Sequence, residues 1–439
     1  MIWRDRVSPF REPCFRSLLL LKIKPFGFDT VSAHSFHLCM LEESEARQRI
    51  LDTVEAGAVT WVPLELALDQ VLAQDMTGAI DSPPFDNSSM DGYAVRAEEA
   101  QAGSALRVRD EEQPAGLDLS LACESGEAIR IFTGAPIPRG ADAVIMQEDV
   151  IREGNQVTIS EGVEVGENIR RRGGDVCAGQ TLLKRGDLVT PARIGLLASQ
   201  GVPEIPVHAR PLIQIITTGD ELVDPGAPLI PGEIYNSNSP MLQALVSRSG
   251  GIAATSHALD DPTHLRETME RAFAASDLVV IAGGVSVGDR DYVKEVLGEL
   301  GVELNFWRVK LKPGKPFLFG RHPEGTHVFG LPGNPVSAFV TFSLFVRPVI
   351  RRLLGIPAVE LVEGLEKAVA AEDLSNRGDR PHYLRGIWEG GRVRLSGTQQ
   401  SHAIFGLSKA NCLIRLEPEE RVSAGETVLV RKDEVGGRR

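Results

Sequence analysis

The sequence predicts a multidomain α/β protein. Its centre is a doubly wound α/β domain with a parallel sheet, accompanied by an inserted β-rich domain, a linking α/β domain and a C-terminal β-barrel-like domain. Three observations predict this. Residues 211–355 alternate short, β-branched apolar runs with stretches of helical periodicity. Three of those runs end abruptly in Gly or acidic residues just before a helix, as parallel strands do at a ligand-binding edge. On either side, short strands separated by Gly and Asn turn signals dominate.

Composition narrows the function classes. The chain has 439 residues, 42% hydrophobic and 24% charged, which fits two to four soluble domains at roughly 100–200 residues each. A net charge of −13 argues against a general binder of nucleic acid or of anionic membrane, so the cations that matter must be concentrated locally. There are five cysteines and no C-x-x-C, which supports neither a disulfide framework nor a zinc ribbon and fits a reducing cytoplasm. The longest apolar run, 338–346, is interrupted by Thr341 and Ser343 and is too short to span a bilayer.

In chain order, residues 1–40 are basic, irregular and unlike the rest, and they read as an extension, disordered or mis-annotated. The acids after Met40 make a good helix opening. Residues 41–80 read as two helices, the second near 65–73. With 166–210 they form the discontinuous linking domain, where 180–197 reads as helix with Pro191 near its start. The β-rich insert spans 81–165, with strands at 128–132 and 143–147, a hairpin about Gly154-Asn155, and Thr133 at a strand end. Residues 170–172 are three consecutive arginines, a pattern that most often makes only a solvated face. The central domain, 211–355, has strands at 212–217 and Leu278–Ala282 and helices at 263–275 and 292–300. Residues 358–433 return to strands, with a hairpin about Gly390-Gly391.

The chemistry concentrates at the predicted sheet edge. Leu278–Ala282 stops at Gly283 and Gly284, and Gly288 follows. Such glycines let backbone N–H groups approach an anion. The loop is no stock motif: G-x-G-x-x-G is absent, and Asp289 stands where a P-loop needs Lys. A Gly-rich turn without ligand is the bland alternative. Arg308, Lys310, Lys312 and Lys315 cluster nearby, with turns forced at Pro313-Gly314 and Pro332-Gly333. Asn334 can cap a helix whose first turn suits Pro335, making a second anion site. Glu221, Asp260 and Asp291 fall at strand ends of the same sheet, and carboxylates beside a phosphate loop suggest Mg²⁺. No H-E-x-x-H, G-x-S-x-G or Cys/His cluster appears.

Seven motifs in order, P-P-F-D-N-S-S-M-D-G-Y-A-V, F-T-G-A-P-I-P-R-G-A-D, E-N-I-R-R-R-G-G-D, T-G-D-E-L, A-G-G-V-S-V-G-D-R-D-Y, K-P-G-K-P and L-P-G-N-P-V-S, span roughly 41–433. By them the chain resembles the molybdopterin molybdenumtransferases, the MoeA family, with the gephyrin E domain as eukaryotic counterpart. The resemblance implies a molybdopterin-binding-like central domain. It implies insertion of molybdate into adenylylated molybdopterin with release of AMP and Mg²⁺ dependence. Asp91, Asp175, Glu221, Asp260 and Asp291 then stand at the family's functional acids, with Glu221, Asp260 and Asp291 as metal ligands. Lys312 and Lys315 match its lysines, and Arg308 a basic position often held by lysine. Thr133, Gly283, Gly284, Ser286, Gly288, Pro332, Gly333, Asn334 and Pro335 match substrate-binding motif positions. Ser401 and His402 lie in a C-terminal loop implied to reach the site. The resemblance also implies a homodimer in which Asp91 and the arginine loop serve the partner's sheet edge, and contacts with the adenylyltransferase and molybdoenzyme chaperones. Two alternatives stand beside this reading. A molybdopterin adenylyltransferase is disfavoured by A-G-G-V-S-V-G in place of a G-G-T-G-type loop. A gephyrin-like scaffold would need a receptor-binding surface.

Overall fold

A computed structural model describes residues 40–285, 292–357 and 364–432. The central sheet has six strands in the order Ile252–Ala258, Leu212–Thr218, Leu278–Ala282, His327–Leu331, Leu318–Arg321, Glu303–Trp307. The first four are mutually parallel. Leu318–Arg321 runs antiparallel to both of its neighbours, so one strand of the six opposes the rest and the sheet is mixed where the sequence suggested a parallel one. The reason is connection length. Only the 322–326 turn joins Leu318–Arg321 to its neighbour, and a parallel crossover needs about a dozen residues or more.

Both faces of this sheet are covered, which explains the near-continuous apolar strands. Leu278, Val280 and Ala282 face a core shared with Leu242 and Val246 of the helix Asn238–Arg248 and with the buried 335–353 helix. Val279 and Ile281 face the opposite way, onto Leu265, Met269 and Phe273 of Pro262–Ala275 and Val293, Val296 and Leu297 of Val293–Glu299. The period-two alternation of a strand therefore divides one run between two cores. The 335–353 helix continues from Pro335–Thr341 through a widened π segment, Phe342–Val346, into Arg347–Leu353, so the long apolar run belongs to the core. Among the described residues no helix is long and apolar enough to cross a membrane.

The insert holds a six-stranded sheet, in the order Ala143–Met146, Gly92–Val95, Glu127–Ile131, Ala105–Val108, Gln156–Ile159, Val150–Glu153. Pairing of Val59–Pro63 with Glu204–His208 and of Met76–Thr77 with Thr181–Leu183 ties the chain before the insert to the chain after it. Two helix expectations fail in this part. The helix Glu43–Leu51 forms, but near 65–73 only a single tight turn, Leu64–Leu66, appears. The backbone N–H groups of Asp69, Leu72 and Ala73 instead donate to the carbonyls of Val189, Asp187 and Pro206, non-local partners that outweigh local propensity. Likewise 181–183 is strand, and helix starts only at Pro191, where Thr190 accepts from the Arg193 N–H and Pro suits the first position.

The C-terminal strands close into a five-stranded barrel of Glu366–Ala370, Arg392–Leu395, His382–Glu389, Cys412–Leu416 and Thr427–Lys432. Alternation again decides the packing. Leu384 and Ile414 fill the barrel, while Tyr383 and Leu413 join the central sheet's core. The Tyr383 hydroxyl donates to Glu43 at 2.8 Å, and Arg47 pairs with the same carboxylate at 2.8 Å, which joins the first helix to the barrel. Cys123, Cys177 and Cys412 are free thiols.

Candidate functional site

At the carboxyl ends of the parallel strands lies a cleft of about 310 Å³, lined by Thr218, Glu221, Asp260, Gly283, Gly284, Pro332, Gly333 and Asn334 among others. Its walls need glycine. A Cβ on Gly283, at φ +108°, would stand 2.8 Å from the Thr218 carbonyl oxygen, and one on Gly284 2.6 Å from Val293 Cγ2. The Glu221 carboxylate folds over Gly219, where a Cβ would meet it at 2.5 Å. Asn238 Nδ2 donates to the Gly333 carbonyl at 2.6 Å and fixes the P-G-N-P turn. Asn334 caps the following helix through its backbone carbonyl, which accepts from the Ala338 N–H at 2.9 Å, and makes no side-chain cap. Pro335 occupies the first turn as expected. Thr218, the first residue of T-G-D-E-L and not among the sequence-based candidates, contributes a buried, unpartnered hydroxyl to the residues that line this cleft. A lone hydroxyl type carries too little signal to be singled out in a sequence.

A second cleft of about 610 Å³ shares Pro316, Pro332 and Asn334 with the first. Lys312, Lys315, Arg380, His382, Ser401 and His402 line it. Lys312 is held by backbone bonds to the barrel: its N–H donates to the Pro381 carbonyl at 2.9 Å, and its carbonyl accepts from the Tyr383 N–H at 2.8 Å. The Ser401 carbonyl accepts from the Val336 N–H at 3.1 Å, which brings the C-terminal loop onto the P-G-N-P helix. Arg380 and His382 were missed by sequence reasoning because nothing local marks a barrel residue as facing another domain.

Other candidates lie elsewhere. Arg308 lines neither cleft; its guanidinium sits over the Trp307 ring at 4.2 Å. Asp91, Thr133 and Asp175 belong to the insert and its flank and also line neither. Asp91 is exposed. It accepts from the Thr133 amide at 2.7 Å and the Thr133 hydroxyl at 2.8 Å, and these bonds, with Arg130 nearby, hold its carboxyl below the usual range. In the arginine loop, Arg171 pairs with Asp86 at 2.7 Å and Arg172 with Asp81 at 2.6 Å, so two of the three arginines hold neighbouring carboxylates of their own chain. The Ala178 amide, then Arg172, keep the Asp81 carboxyl low. Ser286, Gly288 and Asp291 lie outside the described residues. Among the described residues no three acidic, His or Cys side chains converge as a metal cage.

Comparison with known proteins matches this arrangement along the chain. Residues 41–201 match the MoeA N-terminal region (domain I and II), 214–352 a probable molybdopterin binding domain, and 367–432 the MoeA C-terminal region (domain IV). The chain is 39% identical over 403 residues to the molybdopterin molybdenumtransferase of Haemophilus influenzae, covering 89% of this chain and 98% of that one. It is 37% identical over 388 residues to that of a Nostoc species, covering 84% and 87%. The crystal structure of the molybdopterin biosynthesis moeA protein from Pyrococcus horikoshii OT3 superposes with a TM-score of 0.75 at 32% identity, covering 89% of this chain and 99% of that one. With two adjoining clefts and these relatives along nearly all of 41–432, the chain belongs to the molybdopterin molybdenumtransferase (MoeA) family.

Proposed function

We propose that this transferase of molybdenum cofactor biosynthesis inserts molybdate into adenylylated molybdopterin and releases AMP, with Mg²⁺, as a cytoplasmic homodimer. One observation carries the reading: an acid- and glycine-lined cleft at the strand ends shares a wall with a cation-lined cleft. The first suits phosphate groups and a hard cation, the second an oxyanion. Glu221 and Asp260 are the donor set Mg²⁺ takes when substrate phosphates supply further oxygens, so the residues present fit it. Bound there, the ion would offset phosphate charge. The backbone about Gly283 and Gly333 would position the nucleotide, and Lys312 and Lys315 would hold molybdate beside it. Asp91, Thr133 and Asp175 would serve the clefts of a second copy, which accords with their exposed placement away from their own.

The test is incubation of the chain with adenylylated molybdopterin, molybdate and Mg²⁺, with AMP measured. Release should require all three. Folded protein that turns over nothing yet captures receptor loops would favour the scaffold. Mixing Asp91→Ala protomers with Asp260→Ala protomers should restore one good site per dimer, and no recovery in verified heterodimers would remove the shared-site part.

A further inference from the structure

His382 sits where the barrel meets the cation-lined cleft. It is 6% exposed, yet it lines the cleft beside Lys312, Arg380 and Ser401. The backbone bonds of Lys312 to Pro381 and Tyr383 bracket it, so residue 382 is registered against Lys312. A buried histidine kept for packing normally anchors a ring nitrogen on the backbone. His208 does so through Nδ1 to the Gly57 carbonyl at 2.8 Å, and His327 through Nε2 to the Thr53 carbonyl at 3.2 Å. His382 makes no such bond among the described residues, and its Nδ1 is sealed without a partner.

The ring's role follows from its charge state and its tautomer. First, burial and then the charges of Lys312, Arg385 and Arg380 push its imidazole down to about 4, so it is neutral near pH 7. A neutral imidazole carries one N–H and one acceptor nitrogen. Second, placing that N–H on Nδ1 would bury a donor with no acceptor, a costlier arrangement than an unused lone pair. The proton therefore belongs on Nε2, the ring nitrogen not sealed in the protein.

We propose that His382 is an oxyanion-binding residue of this chain, donating its Nε2–H to the tetrahedral dianion that Lys312 and Lys315 draw into the cleft. The inference rests on reading that cleft as the molybdate subsite. It adds a neutral, directional donor beside the charges of Lys312, Lys315 and Arg380.

Sodium molybdate alone is the probe, its affinity measured by calorimetry on the full chain. His382→Phe, which fills the space without a donor, should raise the dissociation constant about tenfold to a hundredfold, the usual range for one hydrogen bond to a charged acceptor. His382→Gln, which can present an amide N–H, should stay within about threefold of wild type. Binding of the organic substrate should be unchanged in both, and melting temperatures check folding. In the wild-type protein, ring ¹⁵N shifts should place the proton on Nε2, and molybdate should move that resonance; this arm decides the matter even if the Phe variant does not fold. A proton on Nδ1, an unmoved Nε2, or unaltered molybdate affinity in folded His382→Phe would overturn the inference. If Lys312→Ala weakens molybdate while His382→Phe does not, the cleft reading survives and the histidine role fails. If neither matters, or wild type binds no molybdate, the subsite reading falls with it.

Discussion

The two clefts share a wall and differ in how they are built. The acid-lined cleft is made by successive strand ends of one sheet: Thr218 and Gly219 close one strand, Gly283 and Gly284 the next, and Pro332 and Gly333 follow the third. Its shape is fixed by main chain and by missing side chains. The cation-lined cleft is assembled across long sequence distances, with Lys312 and Lys315 from the central region facing Arg380, His382 and Ser401 from the barrel and its loop. Its character comes from charged side chains, and Lys312 and Lys315 are exposed. The first should be intolerant of an added Cβ at Gly283 or Gly284. The second should tolerate substitution in folding terms and respond in ligand affinity.

The largest expected effect follows from that contrast. Gly283→Ala forces a positive φ on alanine and drives its Cβ into the Thr218 carbonyl, and should cost about 2–4 kcal/mol of stability, read by urea unfolding. Lys312→Ala, by comparison, should leave the unfolding midpoint nearly unchanged and raise the molybdate requirement about tenfold to a hundredfold, the worth of one charge-assisted contact. Equal stability losses in both would break the comparison. Asp260→Asn should raise the Mg²⁺ needed for half-maximal AMP release by at least about tenfold, since lesser, outer-shell changes already cost that much, while molybdate dependence stays put. A shift in molybdate dependence alone would merge the two clefts into one site.

The smallest effect lies away from both clefts. Thr133→Val removes the hydroxyl that helps hold Asp91 low, so the Asp91 midpoint, followed by NMR titration, should move up toward the ordinary carboxylate range. The sign is set by the depressed folded value. The stability this carboxylate contributes is present above its unfolded pKa and is lost as pH falls through the lower folded one. The variant should lose that stability at a higher pH than wild type. An unmoved midpoint would mean that the amide of residue 133 suffices.

The sequence by itself determined the parallel strands, their abrupt Gly and acid ends and the glycines at close approaches, because backbone geometry is a local property and leaves local marks. It also carried the lysine turn, since Pro313-Gly314 and its flanking lysines are contiguous. Tertiary structure alone decided the rest. The segment 65–73 gave up helix for carbonyls contributed by residues 187–206, partners over a hundred positions away. The one antiparallel strand of the central sheet, Leu318–Arg321, came from a turn too short for a crossover. Arg308 took a place on Trp307 rather than in the cleft. Arg380 and His382 became cleft residues only because Tyr383 and Leu413, one register step from the barrel interior, dock onto the central core and carry their strand's start to Lys312. Which side chains face each other across two separately folded sheets depends on how their outer surfaces pack, and no local pattern in either stretch records that.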